Sequence, residues 1–178
     1  VLKPGVLWQL DKKSGSQKLI ALSEIENPEI YSKVYADSQG GLWLFSGKSG
    51  LVYYRKNPET SWNKLLMSSL TKGISNRVLE ILDDESGHIW IGTDHNGLFI
   101  YDLINETLTN LLEDQGKKTS ISSNNVVCLY RDDNGVMWIG HNKKGLSYYH
   151  KSFNSIVNVD HPECRDVSVI LEDSKGNI

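Results

Sequence analysis

The chain has 178 residues, 39% of them hydrophobic and 23% charged, with 19 basic against 22 acidic side chains for a net charge of −3. That is enough chain for one domain with a sizeable core, and the acidic balance excludes a nucleic-acid partner, which needs a basic face. No apolar run reaches the length of a membrane span and no leader peptide is visible, so membrane attachment is expected only through segments outside this chain.

Residues 1–30 open with a strand at Val6–Asp11, a turn at Ser14-Gly15 and a second strand at Lys18–Leu22, which read as the back half of a repeating unit. The next unit, 31–76, is complete. Strand a runs from Tyr31 to the turn Asp37-Ser-Gln-Gly40, strand b carries Trp43, strand c ends in Tyr53-Tyr54, and a weaker strand d covers Trp62–Met67. The unit 77–124 repeats this order with Val78–Asp83, the turn Asp84-Glu-Ser-Gly87, Trp90, Leu98–Asp102 and Thr107–Leu112. The unit 125–166 repeats it again with Val126–Arg131, Asp132-Asp-Asn-Gly135, Trp138, Leu146–Tyr149 and Ser155–Val159. A further copy begins at Val167 and reaches its turn, Asp173-Ser-Lys-Gly176, before Ile178.

The three tryptophans are 47 and 48 residues apart, and Gly135 lies 41 residues before Gly176. A strand-only repeat in the forties belongs to propeller blades rather than helical solenoids. The fold expected is therefore all-β, with β-propeller blades of four antiparallel strands in a partial propeller. About three to four blades of a ring of about seven are present, since propellers close with about four to eight. The near-continuous apolar residues of strand a predict that it is covered on both faces, and the variable strand d reads as an outer edge. In each turn the aspartate is placed to bind the backbone N–H groups of that turn, and the glycine supplies a positive φ. Trp43, Trp90 and Trp138 share one station and are expected to wedge between neighbouring blades, because an interblade core recurs at every blade whereas a ligand site need not. Trp8 and Trp62 fall outside that column. Cys128 and Cys164 hold different stations and are read as unpaired thiols.

The loops leading into strand a and the turns between strands b and c open on one face of a propeller. That face gathers the candidate ligand contacts: Asn76, Arg77, Asp94, His95, Asn96, Asn124, Asn125, His141, Asn142, Arg165 and Asp166, with Lys48, Ser49 and Ser75 nearby. Amide, carboxylate, imidazole and guanidinium groups suit sugar hydroxyls, and arginine also suits sulfates or carboxylates. No catalytic residue, metal site or cofactor is expected. The histidines have no metal-ligand spacing, and His95 with His141 lacks a third ligand. The run Asp132-Asp-Asn-Gly135 is not closed by a glutamate as a calcium loop requires, and no Gly-x-Ser-x-Gly occurs.

Val78 to Asp102 carries Val78, Ile81, Asp84, Gly87, Trp90, Ile91, Gly92, Thr93, Gly97, Leu98, Tyr101 and Asp102, a pattern that resembles the two-component regulator propeller repeat. The first copy departs from it at Phe45 and Ser46, the third at His141 and His150. The aspartate boxes of sialidases differ, since they set Asp and Gly two residues apart rather than three. The resemblance implies the periplasmic sensor part of a hybrid two-component system. Such a sensor has two propellers of about seven blades each, a membrane span and a histidine kinase beyond this chain, and binds an oligosaccharide. The chain itself is then not an enzyme. The other readings are a protein-interaction scaffold and a propeller lyase or glycosidase. Bare blade faces at either end would favour self-association, or a dimeric sensor.

Overall fold

The computed structural model describes residues 2–178 apart from 4, 47–49, 51, 58, 66–76, 153, 160, 162 and 164, and leaves out the side chains of 2, 3 and 29. The fold is all-β: three four-stranded antiparallel sheets follow a smaller leading sheet. The leading sheet comprises β1 (Leu2–Lys3), β2 (Val6–Leu10) and β3 (Gln17–Ile20), and a short 3-10 turn at Pro28–Ile30 joins it to the next. The first full sheet is β4 (Lys33–Ala36), β5 (Leu42–Phe45), β6 (Val52–Arg55) and β7 (Asn63–Leu65). The second is β8 (Arg77–Asp83), β9 (His88–Asp94), β10 (Leu98–Asp102) and β11 (Thr107–Leu111). The third is β12 (Val126–Arg131), β13 (Met137–His141), β14 (Leu146–His150) and β15 (Ser155–Val159).

Every sheet is a simple up-and-down meander, so sequence neighbours are also ladder neighbours. The tight turns hold this register. Gly40, Gly87, Gly135 and Gly176 all have positive φ, at 86°, 99°, 77° and 80°, a region that costs a side-chain-bearing residue steric energy. Strand a is bulged at one station in two sheets, where the register shifts between Val78 and Glu80 and between Val126 and Cys128.

Successive sheets pack face to face. Trp43, Phe45, Val52, Tyr54 and Leu65 of the first sheet form one core with Val78, Ile81, Ile89, Ile91, Phe99 and Tyr101 of the second. Trp90 and Leu98 of the second form another with Val126, Met137, Ile139 and Ile156 of the third. Trp43 and Trp90 are thus interblade wedges. Trp138 is only half-buried, leaning on Tyr148 of its own sheet at 5.2 Å and donating its indole N–H to Asp132 at 2.9 Å. Residues 165–178 form no strand and close on the Asp173–Gly176 turn, where Gly176 N–H donates to the Asp173 carbonyl at 3.0 Å.

Strand a is not covered on both faces. In β4, Lys33, Val34 and Ala36 are exposed, and in β8, Leu79, Glu80 and Leu82 are half-buried. The doubly covered strand is b: Ile89 to Thr93 are all buried. The reason is topological. Strands a and d are both sheet edges, so face-to-face stacking covers the inner strands most. Cys128 is a free, buried thiol, pushed up to about 11 chiefly by its burial.

Candidate functional site

The loops leading into strand a and the b–c turns are stitched together across sheets, and the glycines of the turns do the stitching. Gly97 N–H donates to the Asn124 carbonyl at 2.7 Å, and Gly145 N–H donates to the Arg165 carbonyl at 2.8 Å. A Cβ on Gly97 would run into the Leu111 carbonyl oxygen, and its φ is +73°. The station therefore needs glycine twice over. Gly92 and Gly140 serve the same face from below. A Cβ on Gly92 would lie 2.9 Å from Val126 Cγ1, and one on Gly140 would lie 2.9 Å from Val167 Cγ1. Gly92 lets Val126, which opens the next strand a, approach closely, and Gly140 leaves room for both Cys128 Sγ and Val167.

On this frame the candidate contacts separate into three groups. Arg77, Asp94, His95 and Asn125 come together. Asp94 Oδ2 accepts from Arg77 Nη1 at 3.1 Å, and Asp94 Oδ1 accepts from Asn125 Nδ2 at 3.1 Å and lies 2.6 Å from His95 Nδ1. His95 is held outward by a φ of 79°, and its side chain is mostly exposed. Asp94 is largely covered, so its carboxylate acts as a hub between the second and third sheets.

A second group surrounds the next turn. Asn142 N–H donates to the Asn125 carbonyl at 3.2 Å, and Asp166 Oδ1 accepts from Lys143 N–H at 2.9 Å. The side chains of Asn142 and Arg165 are exposed. The third group is turned inward. Asn96 is buried, and Asn124 Oδ1 accepts from Glu113 N–H at 2.7 Å.

His141 belongs to that inward group and is fully buried, with Nε2 2.9 Å from Ser147 Oγ. Burial pulls its pKa down to about 4, an effect that the nearby backbone of Ser123 and Asn125 only partly offsets. It is a neutral core imidazole and does not meet the exposed His95. Asn76, with Lys48, Ser49 and Ser75, lies outside the described residues. Among the described residues, no group of three His, Cys, Asp or Glu side chains is arranged to hold a metal. Position along the chain alone did not single out Gly97 and Gly145 as the tie between sheets; their recurrence at one station was the available signal.

The face is therefore a row of backbone-anchored turns presenting Arg77, His95, Asn142 and Arg165 to solvent. Residues 72–95 and 120–143 match the two-component regulator propeller. The chain carries two-component regulator propeller repeats. Both matched segments hold strand a, the aspartate turn and strand b. The first full sheet, with Phe45 and Ser46 at the Gly92-Thr93 stations, lies outside the match. No curated protein matches the chain.

Among solved structures, the chain resembles the extracellular domain of a B. thetaiotaomicron protein named as a one component system, with a TM-score of 0.69 and 15% identity over 98% of this chain and 23% of that one. It also resembles the extracellular domain of a B. thetaiotaomicron protein named as a hybrid two component system, with a TM-score of 0.58 and 17% identity over 97% of this chain and 30% of that one. Virginiamycin B lyase from Staphylococcus aureus matches with a TM-score of 0.63 and 10% identity over 90% of this chain and 50% of the lyase. At these identities the likeness is one of fold, and it extends to extracellular domains and to a lyase alike. The chain spans half or less of each of these structures.

Proposed function

We propose that this chain is part of the ligand-sensing propeller of a hybrid two-component system, working outside the cytoplasm in the periplasm, with an oligosaccharide as its ligand. The observation that carries the reading is the match of two separate segments to the two-component regulator propeller. The likeness to two extracellular domains supports the location. The exposed donors of the lead-in face are the ligand contacts. Arg77 and Arg165 offer guanidinium forks, His95 and Asn142 add an imidazole and an amide, and such groups bind hydroxyls and carboxylates well. Kinase and membrane span belong to the rest of the protein.

Titration calorimetry of the protein's whole extracellular part against a panel of plant-wall and host-glycan oligosaccharides tests this. The double variant Arg77→Ala with Arg165→Ala should weaken binding at least tenfold while leaving the melting temperature within a degree or two, because exposed ion pairs contribute only about 0–1 kcal/mol. Heats unchanged by the double variant would remove the lead-in face from the reading. Release of new reducing ends or unsaturated sugars would replace sensing with catalysis.

A further inference from the structure

The aspartate of each a–b turn works in one way in the first and third full sheets. Asp37 Oδ1 accepts from the N–H groups of Gln39 and Gly41, at 3.0 and 2.7 Å, and Oδ2 accepts from the Trp43 indole N–H at 2.8 Å. Asp132 repeats this with Asn134 and Val136, both at 2.9 Å, and with the Trp138 indole at 2.9 Å. Asp84 keeps only the first half. Its Oδ1 accepts from Ser86 and His88 N–H at 2.8 and 3.0 Å, but its Oδ2 lies 2.9 Å from the His88 ring Nδ1. His88 stands where the other repeats have Gly41 and Val136. The Trp90 indole N–H is buried and has no acceptor among the described residues. Buried donors are nearly always paired, so an orphan at a repeated, otherwise satisfied station needs a reason.

Trp90 forms part of the wall of a cleft of about 630 Å³ between the second and third sheets, on the face of the a–b and c–d turns. This is the opposite face from the lead-in loops. The size is that of a small-molecule pocket. Ile100, Met137, Tyr149 and Ile156 supply apolar lining, and Asp84, Asp133, Asn134, Lys151 and Ser155 supply polar groups, two of them carboxylates. Arg131 also lines it, with Nη2 paired to Glu85 at 2.8 Å and its buried Nε unpartnered. The unmet polar atoms of this lining are thus both donors, one of them on a cation. What they lack is an acceptor, and a carboxylate serves two N–H groups at once.

We propose that this cleft binds a hydroxylated ring carboxylate. Its carboxylate accepts hydrogen bonds from Trp90 Nε1–H and Arg131 Nε–H, its ring lies against Met137, Tyr149 and Ile156, and its hydroxyls meet Asn134, Asp133 and Ser155. His88 makes the site by holding Asp84 away from the indole. This inference does not depend on the sensing role.

The test is an indole ¹H–¹⁵N spectrum of the full chain, with the Trp90 signal assigned through Trp90→Phe, titrated separately with glucuronate and with quinate. A saturable downfield shift of Trp90 is expected with at least one acid, while Trp43 and Trp138 stay put. The acid that binds tells a sugar acid from a carbocyclic one. His88→Val and His88→Gly copy the neighbouring repeats and return Asp84 to the indole. Each should weaken binding about tenfold or more, with a melting temperature no lower than the parent's. No shift of Trp90 with either acid overturns the proposal. So does a folded His88→Gly chain that binds as well as the parent. Binding that survives both His88 variants and disappears with Arg77→Ala would assign the acid to the lead-in face instead.

Discussion

The same repeat builds the interface between the first and second full sheets and the one between the second and third, yet the two are packed differently. In the first, Trp43 stacks on Tyr54 at 4.7 Å with rings 13° apart, Tyr101 meets it edge-on at 6.0 Å, and the Tyr54 and Tyr101 hydroxyls share a hydrogen bond of 2.7 Å. The polar edges also interlock. Asp83 N–H donates to Tyr35 Oη at 3.0 Å, the Asp83 carboxylate accepts from Ser38 N–H, and Lys33 Nζ reaches the Leu79 carbonyl at 2.7 Å. Burial, joined by the bond to Tyr54, pushes the Tyr101 phenol well above its usual range.

In the second interface Trp90 meets Tyr149 at 5.3 Å and a 47° tilt, Tyr149 Oη turns to Asn154 at 3.4 Å, and the cleft opens beside them. Gly92 stands where the first sheet has Phe45, and His88 where it has Gly41. The lesson is that identical strand topology leaves the quality of an interblade seam to a few stations: who accepts from the indole, whether the tyrosines meet, and whether a phenyl ring fills the gap.

The largest expected effect separates the two tryptophans. Trp43→Ala should cost about 3–5 kcal/mol, since it removes a fully buried ring and leaves Asp37 without its indole partner. Trp90→Ala should cost about 1–2 kcal/mol less, because its seam already lacks an indole bond and is partly open. Urea unfolding of both variants measures this, and equal or reversed costs would break the comparison.

Next comes acid. His141 is neutral and buried, with a pKa of about 4 against an ordinary 6.5. The folded chain therefore binds fewer protons than the unfolded chain at this site between those values. The stabilisation is complete above about pH 6.5 and is lost as the pH falls toward about 4, with a loss of about 2 kcal/mol between pH 7 and 5. His141→Thr gives the third sheet the residue the second has at Thr93, where Oγ1 donates to the Gly97 carbonyl at 2.7 Å. That variant should flatten the dependence over this interval, as read from urea midpoints at the two pH values. A slope as steep as the parent's would move the effect elsewhere.

The smallest effect sharpens the tyrosine contrast. Tyr101→Phe should cost about 1 kcal/mol, because it strips a buried hydroxyl of its partner. Tyr149→Phe should be close to neutral, since its bond to Asn154 is long and exposed. Thermal melts compare the pair directly, and equal shifts would mean that the Tyr54–Tyr101 bond adds nothing to the first seam.

The strand meanders, the aspartate turns and the wedge role of Trp43 and Trp90 were all legible in the chain, because each is a local pattern repeated at a fixed station. The site was less legible. Asp94, His95 and His141 look alike as turn residues, yet one is a hub, one is exposed and one is buried beneath Ser147. Strand a, apolar along its length, is a half-covered edge. His88 gave only a faint signal, since it breaks the small or apolar pattern of Gly41 and Val136, and Arg131 carries no mark at all.

The sequence by itself determined the full sheets' strands, their order and the turns between them, because apolar runs bounded by aspartate–glycine turns are written in neighbouring residues and recur at a fixed pitch. Only the tertiary structure decided which acceptor each indole finds, which imidazole loses its water and where two sheets fail to close. Those outcomes depend on how side chains meet once the sheets have formed and stacked: Asp37 and Asp132 each reach an indole six residues on, whereas Asp84 Oδ2 lies against the His88 ring, and the cleft takes its walls from two sheets.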